Sequence, residues 1–560
     1  MSRNENSRFA LNPTKIDISR SKFTRDSIYK TSFNVGDLIP FFLEEVLPGD
    51  THQIRTSKSV RMQPLVSAPM DNIWLDTYYF FVPCRLVWQH WKEFNGENTQ
   101  GAWIPETEYS IPQVTAPTGG WSIGTIADYM GIPTGVSGLS VSDLPFRAYA
   151  LICNEWFRDE NLLQPVNIPL DDTTVTGSNG SDYITDLVKG GKPFVAAKYH
   201  DYFTSCLPAP QKGPDVMISS VSATGAVFAG ASDIPTDKMQ KNPMRMASVG
   251  STINSGSPYL IGLGPIDSVT KDRAVAKDAS VSGATISFSG AQGIFPTNLY
   301  ADVGSTATSI NQLRMAFQIQ KFYEASARGG SRYTEFLKAH FGVTSPDARL
   351  QRPEYLGGNR VPININQVIQ QSGTVDGSTP QGNVAGYSLT SDTHGDFIKS
   401  FTEHGYIIGL CVARYDHTYQ QGLARLWSRK TQFDFYLPEL ANIGEQAILN
   451  KEIYAQGTSV DNEVFGYQEA WADYRYKPSM VTGEMRSQAS NSLDSWHFGD
   501  DYSKLPSLSA SWIQEDKSNI DRVLAVQSSV SNQLFADFYI QNEATRPMPM
   551  YSIPGLIDHH

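Results

Sequence analysis

The segment Gly120-Trp121-Ser122-Ile123-Gly124 has the G-x-S-x-G spacing of a catalytic serine. Such a serine is activated where a buried strand leads into the turn and a helix leaves it. Here Pro117-Thr118-Gly119 precedes it, so the segment reads as a turn. No G-x-G-x-x-G, G-x-x-x-x-G-K-[ST] or H-E-x-x-H pattern occurs, which removes dinucleotide, P-loop and zincin chemistry. The adjacent carboxylates Glu44-Glu45, Asp171-Asp172 and Asp500-Asp501 point to opposite sides of an extended chain and read as solvated groups rather than acid/base pairs. Asp558-His559-His560 has metal-ligand residue types but sits on a bare tail without fixed geometry. Cys84, Cys153, Cys206 and Cys411 have no C-x-x-C spacing, which suits a reducing compartment better than a disulfide framework. No enzymatic, cofactor or metal set emerges.

Cations interleaved with aromatic rings carry more information. They occur in Ala413 to Tyr419 (Arg414, Tyr415), Arg425 to Lys430 (Arg425, Trp427, Arg429, Lys430) and Tyr474 to Lys477 (Tyr474, Arg475, Lys477). Unstacked bases of a single strand need a cation for the phosphate and a ring for the base. Tyr, Trp and Arg are equally the residues that anchor protein interfaces. Both readings stand on the residues alone. A second basic group is the N-terminus: Arg3, Arg8, Lys15, Arg20, Lys22, Arg25 and Lys30 against Glu5, Asp17 and Asp26 give residues 1–30 a net charge of +4, leaving −16 for the rest. With few, unpatterned apolar residues it reads as an extended arm that orders only against something else.

These groups must be held by a large, strand-rich body. The chain has 560 residues, 18% charged and 11% aromatic, with 44 Gly and 32 Pro, a composition of strands and turns rather than of a helical bundle. A formal charge of −12 excludes a surface that is basic throughout. There is no apolar run of membrane-spanning length and no secretory h-region. After the Pro48-Gly49-Asp50 turn, Ile54, Val60 and Met62 hold even positions and Arg55, Arg61 and Gln63 odd ones, the period of a half-buried strand. Ile73 to Val82 is almost continuously apolar, as in a strand covered on both faces. Strands are also expected at Tyr406 to Ala413, at Phe433, Phe435 and Leu437, and at Arg522 to Val526. Helices are expected through Leu86 to Phe94, after a cap at Asp143, from a Ser309/Gln312 capping box to Ala327, and on to Phe341. Residues 218–308 are about half Gly, Ala, Ser or Thr and read as a separate β-rich excursion, with a smaller loop of that kind over Gln370 to Tyr387.

Several stretches resemble the major capsid protein of microviruses, small single-stranded DNA phages, and in particular the gokushovirus group. They are F-N-V-G-D-L-I-P-F (Phe33 to Phe41), E-V-L-P-G-D-T (Glu45 to Thr51), P-M-D-N (Pro69 to Asn72), F-F-V-P-C-R-L-V-W (Phe80 to Trp88) and P-F-R-A-Y-A-L-I-C-N-E-W-F-R-D-E-N-L (Pro145 to Leu162). Later come R-Y-T-E-F-L-K-A-H-F-G-V (Arg332 to Val343), H-T-Y-Q-Q-G-L (His417 to Leu423), I-G-E-Q-A (Ile443 to Ala447), W-A-D-Y-R-Y-K-P-S (Trp471 to Ser479) and the closing Arg546 to His560. The resemblance implies a mainly β fold, an eight-stranded antiparallel viral jelly roll with long loop insertions and packing helices. It divides the chain into a basic arm (1–30), a first core part (31–217), a surface insertion (218–308) and the remaining core with its tail (309–560). It implies pentamers and an icosahedral shell assembled in the bacterial cytoplasm, with circular single-stranded DNA, a small basic DNA-associated protein, an internal scaffolding protein, a pilot protein and a host surface receptor as partners. No cofactor and no membrane insertion are implied. The competing class is a β-rich glycan-binding or hydrolytic protein, whose aromatics would line one cleft with convergent carboxylates.

Overall fold

The computed structural model describes residues 19–97, 108–216, 310–373 and 380–551, together with six short strands within 217–309. The alternating and the continuous apolar patterns become strands of two different sheets. The first sheet has the order β1 (Ser27–Phe33), β8 (Leu534–Arg546), β3 (Thr51–Met62), β6 (Thr390–Ser400), and Ser21–Thr24 also pairs with β8. The second has the order β5 (Glu354–Pro362), β4 (Ile73–Pro83), β7 (Gly405–Tyr415), β2 (Asp37–Val46), extended beside β2 by Phe194–Val195. Every pairing within these sheets is antiparallel.

The sheets pack face to face. Phe41 of β2 stacks on Phe538 of β8 with centroids 4.5 Å apart, Tyr79 of β4 meets Phe397 of β6 edge-on at 5.6 Å, and its hydroxyl lies 2.6 Å from Thr56 Oγ1 of β3. The core between them takes Ile54, Val60 and Met62 from one sheet and Ile73, Leu75, Tyr79 and Phe81 from the other. The edge strands β5 and β6 approach so closely that a Cβ on Gly357 would lie 2.3 Å from the Asp396 carbonyl oxygen, which only glycine avoids. Lys58 is buried on the inward face, with Nζ 3.1 Å from Thr77 Oγ1 and 3.5 Å from Asp392.

A second core covers the outer face of the second sheet. Leu38, Phe80, Val82, Ile408, Leu410 and Val412 pack there against Trp88, Trp121, Phe146 and Tyr149. Phe146 and Tyr149 lie on α1 (Leu144–Ile152). Asp143 precedes this helix as expected, yet its side chain caps nothing; it accepts a 2.6 Å hydrogen bond from Arg147 Nε, and both are fully buried. The connection of residues 84–353 between β4 and β5, and that of 416–533 between β7 and β8, supply most of the chain outside the two sheets. Gly213–Tyr323 forms a compact unit of its own. Within that unit a four-stranded sheet (Val275–Lys277, Tyr259–Gly262, Met244–Ser248, Ile294–Pro296) and the pair Val227–Ala229 with Leu299–Ala301 are described. The run Ala284 to Ser289 lies outside the described residues.

Several expectations need correction. Phe433, Phe435 and Leu437 are not a strand: short 3-10 turns occupy Gln432–Asp434 and Pro438–Leu440, and Phe433 and Phe435 are exposed. Arg522 to Val526 is a loop after the helical turn Ser518–Asp521, with Val523 and Leu524 buried in the core between the sheets. Leu86 to Phe94 divides into two single turns, Cys84–Val87 and Trp91–Phe94. The smaller loop over Gln370 to Tyr387 is β-rich as expected in its last part, where Val384–Ser388 pairs with Ile365–Ile369. The helices α2 (Ile310–Gly329) and α3 (Tyr333–Phe341) form, and Ser309 lies outside the described residues. The free arm also shortens: residues 1–18 lie outside the described residues, while Ser21–Thr24 and β1 are ladder partners of β8. That pairing spans nearly the whole chain, a long-range contact that local composition does not report.

Candidate functional site: an aromatic and basic surface patch

The three cation–aromatic segments do not share one fate. Arg414 and Tyr415 end β7, a strand covered on both faces. Arg414 Nη2 lies 2.5 Å from Asp76 Oδ2, and Tyr415 is fully buried, donating its hydroxyl to the Asp516 carbonyl at 2.9 Å. Tyr415 offers no open ring face to a strand of DNA, because it is buried at the end of a strand covered on both faces. Two residues on, His417 is held between carboxylates, Nδ1 2.9 Å from Asp500 and Nε2 2.9 Å from Glu515. Burial opposes its charge, but these two carboxylates outweigh burial and push its pKa up to about 9. Asp500 also accepts from Tyr502 at 2.7 Å and Asn519 at 2.7 Å, and Lys198 lies 3.7 Å away. Burial works against its ionisation, yet His417 and Lys198 hold its carboxyl well below the usual range. Asp500 is therefore no solvated carboxylate, and its neighbour in sequence gave no sign of a histidine 83 residues away. Glu44 is likewise buried, bound by Arg25 at 3.0 Å and Arg546 at 2.7 Å.

The other two segments come together at the surface. Residues 425–436 fold as successive tight turns: Thr431 opens one of them, and the Asp434 carboxylate accepts from the Lys430 and Thr431 amides at 2.8 and 2.7 Å. Residues 471–476 form a single helical turn entered through Trp471 in the left-handed region, φ 63°. A non-glycine residue there needs a compensating anchor. Trp471 has one, its indole donating to the Leu440 carbonyl at 2.8 Å while its ring meets Tyr436 edge-on at 5.8 Å. Arg429 bridges the two loops: it pairs with Asp473 and lies 4.4 Å from the Tyr474 ring centre.

The patch exposes broad apolar area, and its guanidiniums are balanced by carboxylates. Trp427 is 73% exposed, and Leu426, Phe433, Phe435, Tyr436, Tyr474 and Tyr476 are exposed with it. Each guanidinium is matched within the chain: Arg429 by Asp473, Arg475 by Glu469 at 2.6 Å, and Arg425, more distantly, by Glu452 at 3.9 Å. Lys430 and Lys477 are exposed, with no ion pair among the described residues. Sequence reasoning missed Phe433, Phe435 and Tyr436 as members of the patch; their signal was apolar density in a segment that has neither helical nor strand partners.

The arm residues within the described part are also paired. Arg20 bonds the Gly49 carbonyl and Thr51, Lys22 meets Glu543 at 2.6 Å, Arg25 meets Glu44, and Lys30 is exposed opposite Asp537 in the β1–β8 register. Arg3, Arg8 and Lys15 lie outside the described residues, as do His559 and His560. Gly120 to Gly124 is a turn: the Ser122 amide donates to Asn179 at 2.8 Å, and Trp121 is buried with its indole donating to the Lys189 carbonyl.

Comparison with known proteins identifies the family. The family model described as capsid protein (F protein) matches residues 13–556. The chain is 44% identical over 544 residues to capsid protein VP1 of Spiroplasma virus 4, covering 96% of each chain. It is 42% identical over 560 residues to capsid protein VP1 of Bdellovibrio phage phiMH2K, covering 99% of this chain and 98% of that one. Against capsid protein VP1 of Chlamydia phage 1 the identity is 40% over 593 residues, 98% and 97% of the two chains.

Proposed function

Because this chain belongs to the capsid protein (F protein) family, we propose that its copies close into an icosahedral shell around circular single-stranded DNA and that the aromatic patch is a contact between copies. Its role is structural rather than enzymatic, and its place is the virion. The observation that carries the contact is the combination of broad apolar exposure with guanidiniums already neutralised at home. A nucleic-acid surface needs spare positive charge, whereas a protein interface needs rings that lose water and charges that stay paired.

We read the eight strands as a jelly roll. The supporting facts are the strand orders β1-β8-β3-β6 and β2-β7-β4-β5 and a chain that changes sheet at every connection except β4 to β5. Residues 218–308 are read as an outward insertion used in host attachment, and residues 1–18 as the part of the arm that reaches inward. DNA contacts outside the patch include Lys30, with Arg3, Arg8 and Lys15 added from the arm, while Lys430 and Lys477 go with the contact between copies. So few cations on a chain of charge −12 leave bulk neutralisation to a separate small basic protein; scaffolding and pilot proteins complete the assembly.

The test is sedimentation of the full-length protein carrying Trp427→Ala together with Phe433→Ala. Wild-type protein is expected as pentamers or closed particles and the variant as folded subunits. Unchanged assembly of the variant would remove the patch from the contacts between copies.

A further inference from the structure

A cavity of about 520 Å³ lies against the outer face of the second sheet. Its aromatic wall is continuous: Tyr355 of β5 has its ring centre 5.6 Å from Phe80, 6.5 Å from Tyr78 and 5.9 Å from Trp156. Tyr355 is 44% exposed. Arg352 covers Trp156, its guanidinium 4.0 Å from the ring centre.

The cationic side of the cavity is overcharged. Arg360 and Arg414 both bind the one carboxylate of Asp76, Arg360 through Nε at 2.7 Å and Nη2 at 3.2 Å. Tyr199 and Tyr78 donate to Asp76 as well, at 2.8 and 3.1 Å. Burial works against the Asp76 charge, but these partners hold its carboxyl below the usual range. Two guanidiniums on one carboxylate leave the Asp76 cluster positive, while Asp159 and Glu335 line the cavity with Arg158 and Arg332. Arg414 Nε is buried without an acceptor, and the Arg360 side chain is half exposed with Nη1 unused by Asp76. Tyr199 holds both guanidiniums in place, 4.5 and 4.2 Å from its ring centre, so they are ordered before any anion arrives. His200 stands exposed on the same cavity.

We propose that this cavity binds one nucleotide unit, with the base on the Tyr355 wall and the phosphate at Arg360. A flat ring system bearing an anion is the ligand class that satisfies an aromatic wall beside an uncompensated, preorganised guanidinium. The inference rests on the reading that the shell encloses single-stranded DNA. The unit comes either from that strand or from a free nucleotide.

The experiment measures binding of three probes to the full-length protein: a short oligothymidylate, an abasic strand of the same length, and thymidine monophosphate as competitor. The oligothymidylate is expected to bind about tenfold more tightly than the abasic strand. Tyr355→Leu should erase that preference, and Arg360→Gln should weaken both strands and lower the salt slope by about one. Competition by thymidine monophosphate assigns the site to free nucleotide, and its failure to compete assigns the site to the strand. Strand binding that ignores both substitutions overturns the pocket alone. No strand binding of any kind overturns the packaging reading with it.

Discussion

The two sheets of this molecule are built from strands of similar length but stand in different surroundings. The second is covered on both faces, by the first sheet and by the packing that includes α1. The first is covered on one face, and its other face presents Arg55, Arg61, Phe535, Asp537 and Tyr539 to the surface. Sequence period follows coverage. β3 and β8 alternate strictly between buried and accessible positions for most of their length, while β4 keeps every residue but two out of reach of solvent. Polar groups in the doubly covered sheet must find partners inside the protein, as Asp76 and Arg414 do.

The largest expected difference comes from one residue type placed in both surroundings. Ile408 of β7 is fully buried beneath the covering layer, and Ile28 of β1 is 65% exposed on the open face. Ile408→Ala should cost about 3 to 4 kcal/mol, from lost burial and the cavity left behind. Ile28→Ala should change stability by less than about 0.5 kcal/mol. Urea unfolding of the unassembled full-length variants measures both. Similar losses at the two sites would mean that the open face is packed against something in the subunit and that the contrast between the sheets is false.

That contrast was legible in the residues themselves. Ile54, Val60 and Met62 at even positions predicted one covered face for β3, and the run from Ile73 to Val82 predicted two for β4. Tyr406 to Ala413 likewise falls inside β7. Short apolar runs misled, since Phe433, Phe435 and Leu437 have strand spacing but no neighbour to pair with, and Val523 with Leu524 enters the core from a loop. Long-range partners were invisible. Nothing near Asp500 announces His417, and nothing near Ser27–Phe33 announces β8. In the candidate patch the cation–aromatic segments were legible, but not the loop geometry that pairs Arg429 with Asp473 while Arg414 pairs with Asp76.

Electrostatics sharpens the contrast at an intermediate scale. His417 follows the doubly covered β7 and is protonated between Asp500 and Glu515, its pKa pushed up to about 9 against about 6.5 in an unfolded chain. A folded pKa above the unfolded one adds stability that is fully present below about pH 6.5 and is lost as pH rises through about 9. The shift corresponds to about 3 kcal/mol. Chemical denaturation across this window should show the decline in wild-type protein. His417→Gln should lower stability at neutral pH and remove the decline, because glutamine does not titrate. A decline that survives in the variant would assign it to other groups.

The smallest effect belongs to the open sheet. Lys22 and Glu543 form a 2.6 Å pair whose side chains are 58% and 43% exposed, on the neighbouring strands Ser21–Thr24 and β8. Water screens such a pair from outside, and holding two long side chains in one geometry costs rotamer freedom that offsets most of the attraction. A double-mutant cycle with Lys22→Ala and Glu543→Ala should give a coupling of about 0.5 kcal/mol or less in the unassembled subunit, falling further with added salt. The same cycle on assembled particles tests whether this edge stays wet. If a neighbouring copy or bound strand covers it, the pair loses water and its coupling should rise above about 1 kcal/mol and lose its salt dependence, whereas an unchanged value places the edge in solvent in the particle as in the subunit.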